Sequence, residues 1–453
     1  MYDLIDKAVE EFKSLNNKPI RVISHLDCDG ITSASIMAKT LTRENKKFIL
    51  SIVKQLNENI LKELALENYN TIIFTDLGSG YISLINKYLK SKKVFIFDHH
   101  SPEDNKDYEN IVHINPHLSK IKESYNMPSG AGIVYLFSKS LNKNNIDLAH
   151  LALIGAIGDV QDIKNINKEI LEDSISTGKI LIKYGLKMFG SQTKPLNKIL
   201  QYNTDIYIPG VTGSEEGTFN FLSNLGINYM ENGKIKRIVD LNDEELKKLT
   251  TSIIIRRLGS EHNPEDVFGN IYILKEEVDD NLKDAREFST LLNCCGRLNK
   301  PSIGIGVCLD NSFLKQKALE LLKQYKLELI HSLNWFYANK EKLIQNEKFV
   351  IVNTENNVRD TLVGTLISIV SRSSVYKDKT ILIGMAYTLD NNIKISVRAC
   401  NNFDGDLTEV LTKIVNGNGE VGGHKQACGA LIPMEKEMEF IEKAKEILNR
   451  KVY

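Results

Sequence analysis

Four short apolar runs set the architecture of this chain: "PIRVIS" (19–24), "FILSIV" (48–53), "TIIFT" (71–75) and "KVFIF" (93–97). All are strand-length, rich in Ile, Val and Phe, and separated by segments of helical length; "IVHIN" (111–115) reads as a fifth. Strands alternating with helices build βαβ units, hence an α/β fold with a mainly parallel sheet covered on both faces. Ligands of such sheets bind outside the carboxyl ends of the strands. The polar residues fall at those ends. His25, Asp27 and Asp29 follow the first run, Asp76 follows "TIIFT", and Asp98, His99 and His100 follow "KVFIF". Asp159, in "LALIGAIGDVQD" (151–162), closes a small-residue helix expected to pack against the same edge. Surface loops have no reason to collect their acids and histidines at one edge.

Carboxylates gathered this way raise one another's pKa and oppose folding unless a positive charge sits among them. A divalent cation resolves the conflict. Imidazole and carboxylate donors without thiolates favour manganese, with magnesium or cobalt as substitutes. The ligands exceed the need of one ion, so two ions sharing a carboxylate, roughly 3.5–4 Å apart, are expected. Asp76, alone on its strand, is the natural bridge; His25 and Asp27 complete one ion, and Asp29, His99 and Asp159 the other. Adjacent residues of an extended chain face opposite ways. His100 is therefore expected to point away from His99, toward phosphate or leaving group, with Asp98 holding a histidine tautomer from behind. Such a pair of ions activates water and neutralises a phosphoryl group, which makes the site a phosphoester hydrolase.

The rest of the chain supplies context. At 453 residues it holds two or three domains, read as 1–185, 186–345 and 346–453. The middle part is less regular, with an amphipathic helix in "NDEELKKLTTSIIIRRL" (242–258) and a long Lys- and Glu-rich helix over roughly 312–346. The last hundred residues alternate strands and helices again, as a smaller α/β domain. With 58 basic and 58 acidic residues the chain cannot coat nucleic acid through net charge, which leaves a local groove. Six cysteines without zinc-ligand spacing fit reduced thiols in a cytoplasmic protein. The charged start "MYDLIDKAVEEFKSLNN" reads as a helix rather than a signal peptide, and no apolar run is long enough for a membrane span. Three elements read as substrate grips: Arg297 after a tight glycine in "NCCGRLN", Arg398 in "ISVRAC", and a glycine-rich turn in which Gly422 and Gly423 precede His424.

These motifs resemble those of the DHH-family phosphoesterases. "SHLDCDGITSA", "TDLG", "DHHSP" and "IGDVQD" are similar to the four motifs of the catalytic domain, and "VGGHKQACGA" to the signature of the DHH-associated C-terminal domain. "LLNCCGRLNKPSIGIG" and "SVRAC" resemble RecJ-type exonucleases, and "KPLNKIL" with "YIPGVTGSEEG" their archaeal branch. Bacterial relatives carry aspartate where this chain has His25, and histidine is common in the archaeal branch. The resemblance implies a catalytic and a smaller domain facing each other across a cleft. It also implies manganese-dependent exonuclease action on single-stranded DNA or RNA in replication or repair, and the GINS replication complex as a candidate partner. Two other readings stand beside it. One is a nano-RNase or nucleotide phosphatase acting on dinucleotides, against which the extra length after Asp159 and "CGRLN" speak. The other is a replication-fork scaffold, against which the complete ligand set speaks. The GGH element and "SVRAC" also argue against a manganese pyrophosphatase.

Overall fold

The computed structural model describes residues 1–104, 106–118, 127–202, 206–231, 233–258, 264–373, 375–401 and 403–450, the side chains of Asp266 and His424 excepted. The chain begins with α1 (Tyr2–Lys13), whose Ile5, Ala8, Val9 and Phe12 recur at helical spacing and are buried. Then come β1 (Ile20–His25), α2 (Cys28–Arg43), β2 (Phe48–Val53), α3 (Glu58–Leu66), β3 (Thr71–Thr75), α4 (Ile82–Leu89), β4 (Lys93–Phe97) and β5 (Ile111–Ile114). The five strands form one sheet in the order β2-β1-β3-β4-β5, parallel throughout. Every residue of β3 is buried, as a central strand covered on both faces requires.

Helices α5 (Gly130–Leu141), α6 (Ala149–Gly158) and α7 (Ile166–Ser176) complete this layer. Phe12 of α1, Phe95 and Phe97 of β4 and Phe137 of α5 pack edge-on, stacked or tilted, with ring centroids 4.8–6.4 Å apart. They seal one face of the sheet against α1 and α5. The order of strands reverses between β1 and β3, because the chain leaves β1 to one side for β2 and returns on the other for β3. That crevice is where α/β sheets bind ligands. His25 ends β1, and Asp76 follows β3.

The chain divides into two compact units, Met1–Leu322 and Lys323–Tyr453, so residues 186–322 belong with the parallel sheet's unit. An antiparallel pair, Ile180–Leu186 with Phe268–Leu274, brackets this middle stretch. Its first strand straddles the boundary expected at residue 185. The amphipathic helix expected over 242–258 is Asp243–Arg257, started by an Asn242–Glu245 capping box. The long helix runs Ser312–Asn339, shorter than expected, and a short strand at Ile344–Gln345 follows.

The second unit carries a six-stranded mixed sheet. From one edge its strands are Ile344–Gln345, Phe349–Asn353, Ile381–Tyr387, Asn392–Ala399, Ala427–Pro433 and Glu420–His424. Helices Leu407–Val415 and Glu437–Arg450 bury Leu407, Val410, Leu411, Phe440 and Ile441 against its apolar residues. Among the described residues no helix is long and apolar enough to cross a membrane.

Candidate metal centre

Each ligand candidate is placed by the element it terminates. His25 is the last residue of β1, and Asp27 is the N-cap of α2, its side chain accepting from the Gly30 N–H at 3.0 Å. Asp29 lies in the first turn of the same helix. Asp76 continues the β3–β4 ladder one residue past β3, donating its N–H to Phe97 O at 2.8 Å. It does so with φ near 59°, a conformation uncommon outside glycine and tolerated by Asp and Asn. Asp159 caps the carboxyl end of α6.

The side chains meet as three groups whose ligand atoms all lie within 4.8 Å of one another: His25, Asp27 and Asp76; Asp29, His99 and Asp159; and Asp76, His99 and His100. His25 Nδ1 lies 3.0 Å from Asp27 Oδ2 and 3.4 Å from Asp76 Oδ2. His99 Nε2 lies 3.5 Å from Asp76 Oδ1 and 3.7 Å from both Asp29 Oδ2 and Asp159 Oδ2. Asp76 is 1% exposed, and among the described residues neither of its carboxylate oxygens has a hydrogen-bond partner. A buried carboxylate left this way is costly in a protein interior. Its two oxygens face different ligand groups, as a shared carboxylate between two hard cations would.

The electrostatics carry the same conflict. Burial and the charges of Asp76 and Asp159 hold the Asp29 carboxyl well above the usual carboxylate range, although His99 opposes them. Asp159 is raised as well, by burial first, with Asp76 and Asp27 adding to it. Burial works to lower His99, yet the Asp76 carboxylate beside it and the charges of Asp159 and Asp29 push it up to about 10. His25 is raised too: burial opposes protonation, and Asp27 and Asp76 outweigh it. Acids that resist ionising and imidazoles that keep their protons are what an oxygen- and nitrogen-binding divalent cation would relieve. The donor set fits manganese or a related ion.

Asp98 stands behind this cluster. Its Oδ1 accepts from the His99 and His100 N–H groups at 2.8 and 3.2 Å and lies 2.7 Å from His100 Nδ1; Oδ2 accepts from the Ser79 N–H at 2.9 Å. Burial opposes its ionisation, but the charge and hydrogen bond of His100, the charge of His99 and the Ser79 bond hold the carboxyl well below its usual range. The histidine it orients is His100. The expectation that His100 turns away from His99 does not hold, since their rings lie 4.4 Å apart. Residues 98–100 lie beyond the end of β4 and are not strand, so the alternation of an extended chain does not apply.

Two supports escaped the sequence reading. Asp29 accepts from the Gly130 and Ala131 N–H groups at 2.7 and 3.0 Å, so its carboxylate sits on the amino end of α5. The signal was "SGAG" (129–132), a cap residue followed by residues too small to block the approach. Gln161 donates from Nε2 to Asp159 Oδ2 at 3.0 Å while its Oε1 accepts from Asn167 Nδ2 at 3.0 Å.

The expected grips sit on regular elements. Arg297 ends the helix Ala285–Arg297, and Gly296 lies in that helix's last turn rather than in a loop. Arg398 is on the inner strand Asn392–Ala399; its Nε donates to Ser368 Oγ at 3.1 Å and Nη1 to Val397 O at 2.8 Å. Gly422 and Gly423 are not in a turn but on the edge strand Glu420–His424, where Gly423 adopts φ near 122°. The reversal is at Lys425 and Gln426, between the paired His424 and Ala427. The side chain of His424 lies outside the described residues.

Comparison with known proteins matches three segments: 19–156 to the DHH family N-terminal domain, 188–268 to the DHH-CID domain and 347–450 to the DHHA1 domain. An uncharacterized protein of Methanocaldococcus jannaschii, MJ0831, is 30% identical over 99% of this chain and 97% of its own length. Among solved structures, RecJ from Thermus thermophilus in complex with manganese superposes at a TM-score of 0.60 with 15% identity, covering 99% of this chain and 54% of RecJ. The chain thus spans about half the length of that protein. A second structure, exonuclease RecJ bound to manganese, gives 0.60 at 16% identity, covering 99% and 95% of the two chains. CDC45 from Entamoeba histolytica gives 0.65 at 12% identity, covering 99% and 98%. The motifs at the sheet's carboxyl edge, the three domain matches in series and a relative alike from end to end give one answer: the chain is a RecJ-like member of the DHH family.

Proposed function

We propose that this chain is a metal-dependent exonuclease that hydrolyses the phosphodiester bonds of single-stranded DNA or RNA from one end. The observation that carries the reading is Asp76: buried, without a hydrogen-bond partner among the described residues, and shared between two groups of donors. In this reading His25, Asp27 and Asp76 hold one divalent cation, and Asp29, His99 and Asp159, with Asp76, the other. Manganese, which the two RecJ structures contain, is the first candidate. Bound there, the cations supply Lewis-acid polarisation of a phosphoryl oxygen and make water acidic enough to attack at neutral pH.

The chain's own residues do the rest. Asp98 holds the His100 ring by Nδ1, so that Nε2 is the nitrogen turned to the phosphate or the departing oxygen. Arg297 and Arg398 are proposed to bind backbone phosphates, Arg398 with its guanidinium oriented by Ser368 and the Val397 carbonyl. Gly422 and Gly423 let a phosphate approach an edge strand that carries no side chain there, with His424 beside them. Polymer binding through a handful of phosphates would weaken steeply with salt. The fold shared with CDC45 favours a second reading, a replication-fork scaffold, with GINS as the partner the family resemblance implies; the complete set of acids and histidines favours hydrolysis.

The test is manganese-dependent digestion of DNA and RNA oligomers labelled at either end, beside a dinucleotide. Stepwise loss from one end is the expected result, and Asp76→Ala should cut the rate by at least about 10³-fold with its circular dichroism unchanged. Cleavage of the dinucleotide alone would move the protein to the nano-RNase class. Absence of hydrolysis in the unaltered protein would make the scaffold the leading reading.

A further inference from the structure

Residues 269–346 lie between the matched segments, yet part of this stretch touches the loop that carries His25, Asp27 and Asp29. The helix Ala285–Arg297 packs on α6 and α2. At Gly296 it comes so close that a Cβ would stand 1.8 Å from Leu26 O, so no other residue fits without moving the loop. Three residues earlier, and therefore on the same helical face, Asn293 Oδ1 accepts the Cys28 N–H at 3.0 Å. The two contacts grip successive peptide groups on either side of Asp27.

The Cys28 N–H is the first of α2 and has no intrahelical acceptor. A cap side chain ordinarily accepts from the second or third helical N–H, so the first needs a partner from elsewhere. Here the cap is Asp27, whose Oδ1 is committed to the Gly30 N–H while Oδ2 lies 3.0 Å from His25 Nδ1. Asn293 supplies that partner and holds the peptide group after Asp27, whose Oδ2 is turned toward His25. We infer that Asn293 is a positioning residue for the metal-binding loop: it satisfies the first N–H of α2 and so fixes the backbone that carries Asp27. This rests on the reading of His25, Asp27 and Asp76 as metal ligands. Groups that orient ligands from behind are worth about 10- to 100-fold in metal affinity when removed.

The experiment compares the full chain with Asn293→Leu, which fills the space without an acceptor, and Asn293→Asp, which keeps one. Manganese affinity is read from the electron paramagnetic resonance signal of the unbound ion. Hydrogen exchange of the peptide spanning residues 24–30 is read on metal-free protein. The expected result is about 10- to 100-fold weaker manganese binding and faster exchange in N293L, with the melting temperature little changed. N293D should stay close to the unaltered protein in both. If N293L does not fold, Asn293→Ser, too short to reach Cys28, takes its place. Unchanged manganese affinity or unchanged exchange in the folded acceptor-less variant overturns the inference. If the unaltered protein takes up no manganese, the metal-centre reading fails instead, and the exchange comparison still decides whether Asn293 holds the loop.

Discussion

Replacing Gly155 by alanine sets two opposing effects against each other. The residue lies inside α6, where glycine to alanine ordinarily gains about 1 kcal/mol from helix propensity alone. A Cβ at this position, however, would stand 2.5 Å from Asp29 Oδ1, 2.6 Å from Ala131 Cβ and 2.7 Å from Thr32 Oγ1, all well inside the 3.4 Å at which ordinary contact begins. None of the three can easily give way. The Asp29 carboxylate is held by two backbone N–H groups, Thr32 Oγ1 bonds to Cys28 O at 2.8 Å, and the Ala131 methyl is fixed to the backbone of α5. Relief requires α6 to move off α2 and α5, and overpacking of this kind costs about 1–3 kcal/mol, occasionally more. Crowding should therefore win, with a net loss of up to about 2 kcal/mol and a fall in Tm of a few degrees. The same displacement moves a proposed metal ligand, and a shift of order 1 Å costs about 10²-fold in rate. Urea unfolding followed by circular dichroism gives the stability, and manganese titration the site. Gly364→Ala is the control: it lies within the helix Asp360–Arg372, and its nearest neighbour would be the rotatable Ser396 hydroxyl at 3.1 Å, so propensity should prevail and the protein gain about 0.5–1 kcal/mol. A G155A protein more stable than the unaltered chain, with unchanged manganese binding, would refute the close packing of α6 over Asp29.

Val160 follows Asp159 with φ near 56°, a conformation unfavourable for a β-branched residue, and it is 86% exposed. Val160→Gly should raise stability by roughly 0.5–1 kcal/mol, since strain is relieved and little packing is lost, the gain being reduced by glycine's freer unfolded state; calorimetry measures it. Burial, with the charges of Lys179 and Lys39 against that of Asp310, pushes His150 down to about 4. A depressed imidazole favours the native state fully above its unfolded pKa near 6.5. That contribution is lost as the pH falls toward 4, because the unfolded chain takes the proton first, and it amounts to roughly 3 kcal/mol. His150→Gln should therefore lose less stability than the unaltered protein between pH 7 and 4; parallel unfolding curves across that range would show the assignment wrong.

Much of the candidate metal centre was legible because its residues lie at the ends of recognisable strands. Short continuous apolar runs locate β1, β3 and β4, and a parallel sheet can only offer their carboxyl ends to one edge. His25, Asp76 and the Asp98–His100 run therefore meet through topology alone, and Asp27 and Asp29 follow by one helical turn. The same rule misjudged His100, because strand alternation was carried past the last hydrogen-bonded residue of β4. It also misread Gly296 and the Gly422–Gly423 pair as turns. Glycine marks close backbone approach as often as reversal, and only the partner across the gap, Leu26 in one case and the strand Ala427–Pro433 in the other, tells which.

Asp159, 83 residues after Asp76 in sequence, joins the cluster only through the packing of α6 on α2. The bonds from Gly130 and Ala131 to Asp29 leave only the small-residue run "SGAG" (129–132) as a local trace, and the bond from Cys28 to Asn293 across 265 residues leaves none. The sequence by itself determined the α/β class, the edge at which the acids and histidines gather, and the chemistry open to them, because each follows from short-range periodicity and residue type. Tertiary structure alone decided how the carboxylates are held: both oxygens of Asp29 accept from backbone N–H groups of α5, and neither oxygen of Asp76 has a hydrogen-bond partner among the described residues. Those partners come from helices that reach the loop only after the chain has folded around its core.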